Sequence, residues 1–190
     1  MNTVRSIRGL ALMGVAALGL IAMTPAFAES DFQTGNGAFS ANADLNFRVV
    51  IPRFISFRVG STGSTVDLVQ FDVPAANVGD GSPINRSNAG GAPIPVSLLS
   101  NVGNVNLSAT GSGSGLTDGT NTIPWSEILG TSSDNANFPV PAVGAAATTL
   151  NAPASGVINR TADWTFQYAN NTVVGAGQYD GTVTYTAAAP

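Results

Sequence analysis

The chain has 190 residues and a net charge of −4, and it contains no histidine, cysteine or lysine. Without His and Cys, the usual nucleophilic triads, thiol chemistry, imidazole bases and zinc sites are excluded. The acidic balance also excludes the basic face that a nucleic-acid-binding protein needs. Paired-carboxylate chemistry would still be available, but no Asp or Glu lies in a recognisable motif. We therefore expect neither an enzyme nor a nucleic-acid partner.

Residues 1–28 have the pattern of a cleaved secretory signal. Arg5 and Arg8 form a positive region, Leu10–Met23 is an uninterrupted run of apolar residues and glycine, and residues 26–28 (Ala-Phe-Ala) give a small-x-small cleavage pattern. The apolar run is short for a membrane span, which disfavours the alternative of an uncleaved anchor. We expect the rest of the chain to be exported to the periplasm, cell surface or medium, with no transmembrane segment. Loss of the two arginines takes its net charge from −4 to −6.

The segment that follows alternates between apolar and polar side chains, with Val50 as the one exception up to Ile51. Between residues 39 and 51 the odd positions are all apolar: Phe39, Ala41, Ala43, Leu45, Phe47, Val49 and Ile51. A period of two is that of a β-strand, in which successive side chains point to opposite faces. The pattern predicts a half-buried strand over Asn42–Ile51, joined at Pro52 to a second strand over Arg53–Gly60. Because this stretch carries a large apolar load, we expect it to be central to the core.

Most of the remaining chain is predicted to be strand and loop. The further candidate strands are Thr65–Val73, Ile94–Ser100, Asn104–Thr110, Asp163–Ala169 and Gly181–Ala187, with weaker ones at Thr122–Ile128 and Val157–Thr161. We interpret Gly111–Gly119 as a flexible loop and the Ala-rich Ala142–Leu150 as an extended surface segment. Many short strands separated by Gly, Asn, Asp and Pro indicate an all-β sandwich or barrel.

Three acidic turn-like clusters contain oxygen ligands that calcium accepts. They are Asp80-Gly81, Asp118-Gly119 and Asp134-Asn135. None has the spacing of a known calcium loop, whereas Asp, Asn and Gly are the residues that tight turns use. We favour turns, and we expect no cofactor and no metal.

The aromatic residues Trp125, Trp164 and Tyr168 are those that a sugar-binding site would need. However, Trp164, Phe166 and Tyr168 alternate along one predicted strand and so share one face. We therefore place these three in the core, and we expect Trp125 to plug one end of the fold.

The last predicted strand carries a family resemblance. Its residues Tyr179, Val183, Tyr185 and Ala187 share one face, and a Gly-x-Tyr-x-Gly entrance at 177–181 precedes a Thr/Val alternation. This pattern resembles the final strand of secreted bacterial pilin-like subunits, including those of spore-coat-U type. The resemblance implies a single immunoglobulin-like antiparallel β-sandwich over residues 46–190. Residues 29–45 precede it, either as an N-terminal extension or as its first strand.

In chaperone-usher assembly, a pilin-like subunit accepts the alternating N-terminal extension of its neighbour as an added strand. The residues that match such an extension are Phe39, Ala41, Ala43, Leu45 and Phe47. The resemblance implies a structural subunit of a surface fibre of a Gram-negative bacterium. Its partners would be other copies of the chain or related subunits, a periplasmic chaperone and an outer-membrane usher. The alternative is a self-complete, monomeric carbohydrate-binding or matrix protein, secreted or periplasmic.

Overall fold

The computed structural model describes residues 31–190, so the predicted signal at 1–28 lies outside the described residues. The chain divides into two units, Met1–Val50 and Ile51–Pro190, of which the first is described only from residue 31. Residues 31–50 contain no helix and no strand, and all of their side chains are exposed. The prediction of a core strand over Asn42–Ile51 is therefore wrong. Alternation provides two faces, but a strand also requires a neighbour that pairs with its backbone groups.

The second unit is built almost entirely from strands. They are β1 (Ile55–Val59), β2 (Ile84–Asn85), β3 (Ile94–Ser100), β4 (Val105–Gly111), β5 (Gly115–Thr117), β6 (Thr122–Pro124), β7 (Ile128–Ser132), β8 (Thr148–Leu150), β9 (Ile158–Tyr168) and β10 (Val183–Ala188). Three short 3₁₀ turns lie at Ala75–Asn77, Asn88–Gly91 and Trp125–Glu127. The expectation of an all-β fold is confirmed. Among the described residues, no helix is long and apolar enough to cross a membrane.

The strands form two larger antiparallel sheets and one small hairpin. In the first sheet β9 is central: β3 and β2 pair along one of its sides, β7 pairs along the other, and β1 lies outside β3. The second sheet has the order β10-β4-β8, and β5 pairs with β6. Both larger sheets therefore end in edge strands, β1 in the first and β10 in the second.

Both larger sheets contribute to one hydrophobic core. Alternate residues of β3, β4 and β9 are buried, as the period of two requires. The buried core residues are Ile94, Val96, Leu98, Val105, Leu107, Phe138, Leu150, Ile158, Ala162, Trp164 and Phe166. At about 1.5 to 3 kcal/mol for each large side chain, this burial is the main favourable contribution to folding.

The predicted strands were most accurate where alternation is strict. Ile94–Ser100 is β3 with the same bounds, whereas the two separate predictions at 157–161 and 163–169 form the single strand β9. The predicted strand Thr65–Val73 is wrong: one backbone bond, from the Ser87 amide to Gln70 O at 2.8 Å, does not extend into a ladder, and Asn88 Oδ1 accepts from the Gln70 amide at 3.1 Å instead. The predicted loop Gly111–Gly119 contains β5, because Gly115 lets the backbone of β6 approach closely.

Candidate assembly groove

One side of the core lies between the edge strands β1 and β10. Each of them has a single paired neighbour: β1 pairs with β3 and β10 with β4. The two strands approach each other but share no hydrogen-bonded ladder. We call this side the open groove. Its two rims present backbone N–H and C=O groups that no strand of the described residues pairs.

The residues that line the open groove are apolar and only partly buried. Ile55, Phe57 and Val59 alternate along β1, and Val183, Tyr185 and Ala187 alternate along β10. The equivalent core-facing residues of β3 and β4 are at most 4% exposed. Since the same alternation gives full burial in the inner strands, the groove residues keep apolar surface that one more element would cover.

The β1 side of the groove continues through Val69 and Phe71. Both are partly buried against the core, and the Phe71 ring lies 6.3 Å from that of Tyr168 at the far end of β9. Side chains from the loop after β2 hold this segment: Leu68 O accepts from Arg86 Nη2 at 3.1 Å and from Asn88 Nδ2 at 2.7 Å. The partly buried apolar residues on the β1 side of the groove therefore extend as far as Tyr168, the last residue of β9.

Tyr185 and Trp164 form the floor of the groove. Their ring centroids are 5.1 Å apart, and Trp164 is fully buried. Burial raises the pKa of Tyr185 to about 12, because the apolar surroundings disfavour the charged phenolate. Tyr185 is thus the largest side chain on the β10 side of the groove.

The opposite side of the core, toward β7 and β8, is closed by Phe138. Its ring is fully buried and meets Trp164 edge-on, with centroids 5.8 Å apart. Its carbonyl accepts hydrogen bonds from Ser132 Oγ at 2.7 Å and from Trp164 Nε1 at 3.4 Å. The Arg160 guanidinium donates to the carbonyls of Asn137 and Asn151, which fastens the loop to β8. Phe138 therefore fills this side of the core, where Ile128 and Val140 also pack against it and are partly buried.

The sequence-predicted assembly residues all lie in the first unit. Phe39, Ala41, Ala43, Leu45 and Phe47 are exposed, with Leu45 at 75% and Phe47 at 86%. They are in irregular backbone, and no two of them are paired in a sheet. We call residues 31–50 the arm. It offers an alternating apolar face that is accessible to another molecule.

Sequence reasoning did not find two parts of this arrangement. Phe138 lies in a stretch without periodicity, and no sequence signal marks it as a plug. The groove role of Tyr185 was not predicted either, although its place on the apolar face of the last strand was. The alternation at Ile55, Phe57 and Val59 predicts a strand with one apolar face, but it carries no signal of whether that face is covered.

The aromatic residues are distributed as predicted. Trp164, Phe166 and Tyr168 are buried in the first sheet. Trp125 is half-buried and lies across Gly111 and Gly181, where a Cβ atom would come within 2.1 and 2.7 Å of its ring. Its Nε1 donates to Gly113 O at 3.3 Å. Trp125 therefore fills one end of the fold.

Beside Trp125 lies a cleft of about 320 Å³. Its lining is polar and carries a single charge: Ser112, Gly113, Ser114, Gly115, Thr117, Thr122 and Asp180. Several of these groups already have local partners, such as Ser112 Oγ, which accepts from the Thr182 amide at 2.8 Å. The hydroxyl and carboxylate groups of this lining can hydrogen-bond to a polar ligand.

The acidic residues have structural partners. Asp118 Oδ1 accepts from the amides of Thr120 and Asn121, and these hydrogen bonds, with those of the Asn121 side chain, lower its pKa to about 2. Glu127 is buried, and its carboxylate accepts from the Asn171 amide and from Thr172 Oγ1, both at 2.9 Å. The turn chemistry predicted for Asp118 is confirmed. Within residues 31–190, no group of three or more acidic side chains is close enough to hold a metal ion.

A scan against models of protein families and a search of curated protein sequences found no match for this chain.

Proposed function

We propose that this protein is a structural subunit of a bacterial surface fibre that assembles by β-strand addition. The second unit is an immunoglobulin-like β-sandwich, and the arm of one copy adds to the open groove of the next. The observation that carries the proposal is the pair of edge strands on one side of the core: β1 and β10 each have one partner strand and an apolar face that is only partly buried, whereas Phe138 is fully buried on the opposite side.

The chemistry of the two surfaces supports this pairing. An added strand gains backbone hydrogen bonds along a free edge, and its alternate side chains enter the groove. The arm has an apolar side chain at every second position from Phe39 to Val49. At about 25 cal/mol per Å² of apolar surface removed from water, burial of this face against the groove stabilises the contact.

The resemblance to pilin-like subunits adds the export route. The signal pattern at 1–28 directs the chain across the inner membrane. A periplasmic chaperone then covers the groove until an outer-membrane usher brings the next subunit. An exposed apolar groove with free strand edges is an aggregation hazard, which is why such a cover is required before assembly.

The test is the electrophoretic behaviour of the full-length exported chain. Material concentrated from the periplasm is run on a denaturing gel with and without boiling. Polymers joined by added strands dissociate slowly, so we expect a ladder without boiling that collapses to one band after boiling. One monomer band in both lanes, at concentrations where the protein is folded, would contradict the proposal.

A second candidate function is that of a monomeric carbohydrate-binding or matrix protein. The hydroxyl-lined cleft beside Trp125 favours it, since its volume of about 320 Å³ suits one or two sugar rings. Retention on a polysaccharide column that Asp180→Asn abolishes, together with a monomer band in both gel lanes, would support this function. Ser155→Ala, which changes a hydroxyl outside the cleft lining, is the matched control.

A further inference from the structure

The apolar residues of the arm differ in size in a definite order. Two alanines, Ala41 and Ala43, separate Phe39 from Leu45 and Phe47. All five side chains are exposed. Along the apolar face of the arm, one large side chain is therefore followed by two small ones and then by two large ones.

The two rims of the open groove can be aligned through the loop that joins the sheets. Residues 101–104 connect the end of β3 to the start of β4. Ile55 of β1 and Ala187 of β10 both pair next to this loop, so they mark the same end of the groove. Val59 and Val183 pair farther from the loop and mark the other end of these strands.

Tyr185 narrows the groove between those ends. It is flanked on its own face by the smaller Val183 and Ala187. Its ring packs on Trp164, and Phe57 occupies the middle of β1. Of the three residues on this face of β10, Ala187 leaves the most room for the side chain of an added strand and Tyr185 the least.

We propose, building on assembly by strand addition, that the open groove selects the arm of a second copy in one register, with Ala41 at Tyr185. The arm runs antiparallel to β10, which is the more stable pairing. Phe39 then fills the space beside Ala187. Ala43, two residues after Ala41, lies at the level of Val183.

This register also accounts for the two large residues that follow. Beyond Val183 the β1 side of the groove continues through Val69 and Phe71. Leu45 and Phe47 reach this region, because the eight steps from Phe39 to Phe47 span about 27 Å at ~3.3 to 3.4 Å per residue. That length is shorter than the 11-residue strand β9, whose ten steps span about 33 Å at the same rise, so β9 is long enough to accommodate the arm alongside it.

The first experiment is Ala41→Phe in the full-length chain, scored by the unboiled ladder. We expect the yield of polymer to fall at least tenfold, because the added ring meets Tyr185. Ala41 is exposed, so the melting temperature should stay that of wild type. The matched control is Asn42→Phe, which adds the same ring on the opposite face and should leave the ladder intact.

The second experiment tests complementarity. Tyr185→Ala in the Ala41→Phe background should restore the ladder, because it removes the ring that blocks the arm. If Tyr185→Ala lowers the melting temperature so far that the subunit is unfolded during assay, Tyr185→Leu replaces it, since leucine keeps most of the core contacts.

The outcomes separate the register from the proposed function. If the wild-type chain forms no ladder, assembly by strand addition is contradicted, and the proposed register is contradicted as well. A wild-type ladder that Ala41→Phe leaves unchanged overturns the register alone. A ladder blocked by Ala43→Phe and restored by Tyr185→Ala also overturns the register, because this result places Ala43 rather than Ala41 at Tyr185.

Discussion

Phe138 is the side chain that closes one side of the core, and it has no substitute nearby. We expect Phe138→Ala to lower the free energy of unfolding by about 3 to 5 kcal/mol, because it leaves a cavity against Trp164. Urea unfolding followed by Trp fluorescence measures the change. Leu129→Ala is the control, since Leu129 is 43% exposed and should cost far less. Equal costs for the two variants would mean that Phe138 is not a plug.

Tyr185 makes the stability of the fold sensitive to alkaline pH. Its pKa rises from 10.0 to about 12 through burial, so the folded state favours the neutral phenol. The contribution of the neutral Tyr185 phenol to the free energy of unfolding is fully present below pH 10 and is lost as the pH rises through 12. The reason is that this phenol ionises at a lower pH in the unfolded chain than in the folded state. For a pKa difference of about two units, the free energy of unfolding falls by at most about 3 kcal/mol.

The alkaline effect is measured by urea unfolding of wild type and Tyr185→Phe between pH 9 and 12. Burial also raises the pKa values of Tyr168 and Tyr179, so both proteins should weaken in this range. Wild type should weaken more, since only it carries the Tyr185 hydroxyl. Parallel curves would show that this hydroxyl does not titrate differently in the folded state.

At the scale of elements, the period of two predicted strands correctly where another segment of the same chain pairs with them. The alternation of β3 and of β9 was readable because both of their neighbours are in the same chain. The same alternation in Asn42–Ile51 gave a wrong strand, since pairing is a property of two segments and the pattern describes only one. Likewise, the half-buried groove faces of β1 and β10 were not predictable, because burial depends on what lies across the core.

The two faces of the arm should respond differently to an added charge. Leu45→Asp places a carboxylate on the apolar face, and Asn46→Asp places one on the polar face. Both residues are exposed in the first unit, so neither variant should change the melting temperature of the subunit. Only Leu45→Asp should abolish the unboiled ladder, because burial of a carboxylate in an apolar groove is costly.

Two results would contradict the prediction for Leu45→Asp and Asn46→Asp. A lowered melting temperature for Leu45→Asp alone would assign the alternating segment to its own domain as a first strand. Equal loss of the ladder in both variants would mean that the arm does not act through one face. Differential scanning calorimetry and the gel assay on the same preparations distinguish these cases.

At the scale of the whole molecule, the division into two units separates folding from assembly. The buried core residues all belong to Ile51–Pro190, and the described part of the first unit, residues 31–50, contains no strand. Deletion of residues 29–45 should therefore leave a folded, soluble monomer with a melting temperature close to that of wild type. Had these residues formed an inner strand, their loss would remove several core side chains at about 1.5 to 3 kcal/mol for each large one. The summed loss would be comparable to the total free energy of unfolding of a typical domain, about 5 to 15 kcal/mol.

The truncated subunit also distinguishes donor from acceptor. It keeps the open groove and Phe47 but lacks Phe39, Ala41, Ala43 and Leu45, four of the five apolar residues that we assign to the donor strand. We expect it to form no ladder alone, yet to accept one full-length copy and so cap growing polymers. Titrating it into wild-type subunit should shorten the unboiled ladder in proportion to its share of the mixture, as measured by band intensity. A ladder of unchanged length would show that the groove of the truncated subunit does not receive the arm, and an aggregated truncated chain would show that residues 29–45 are needed to fold the domain.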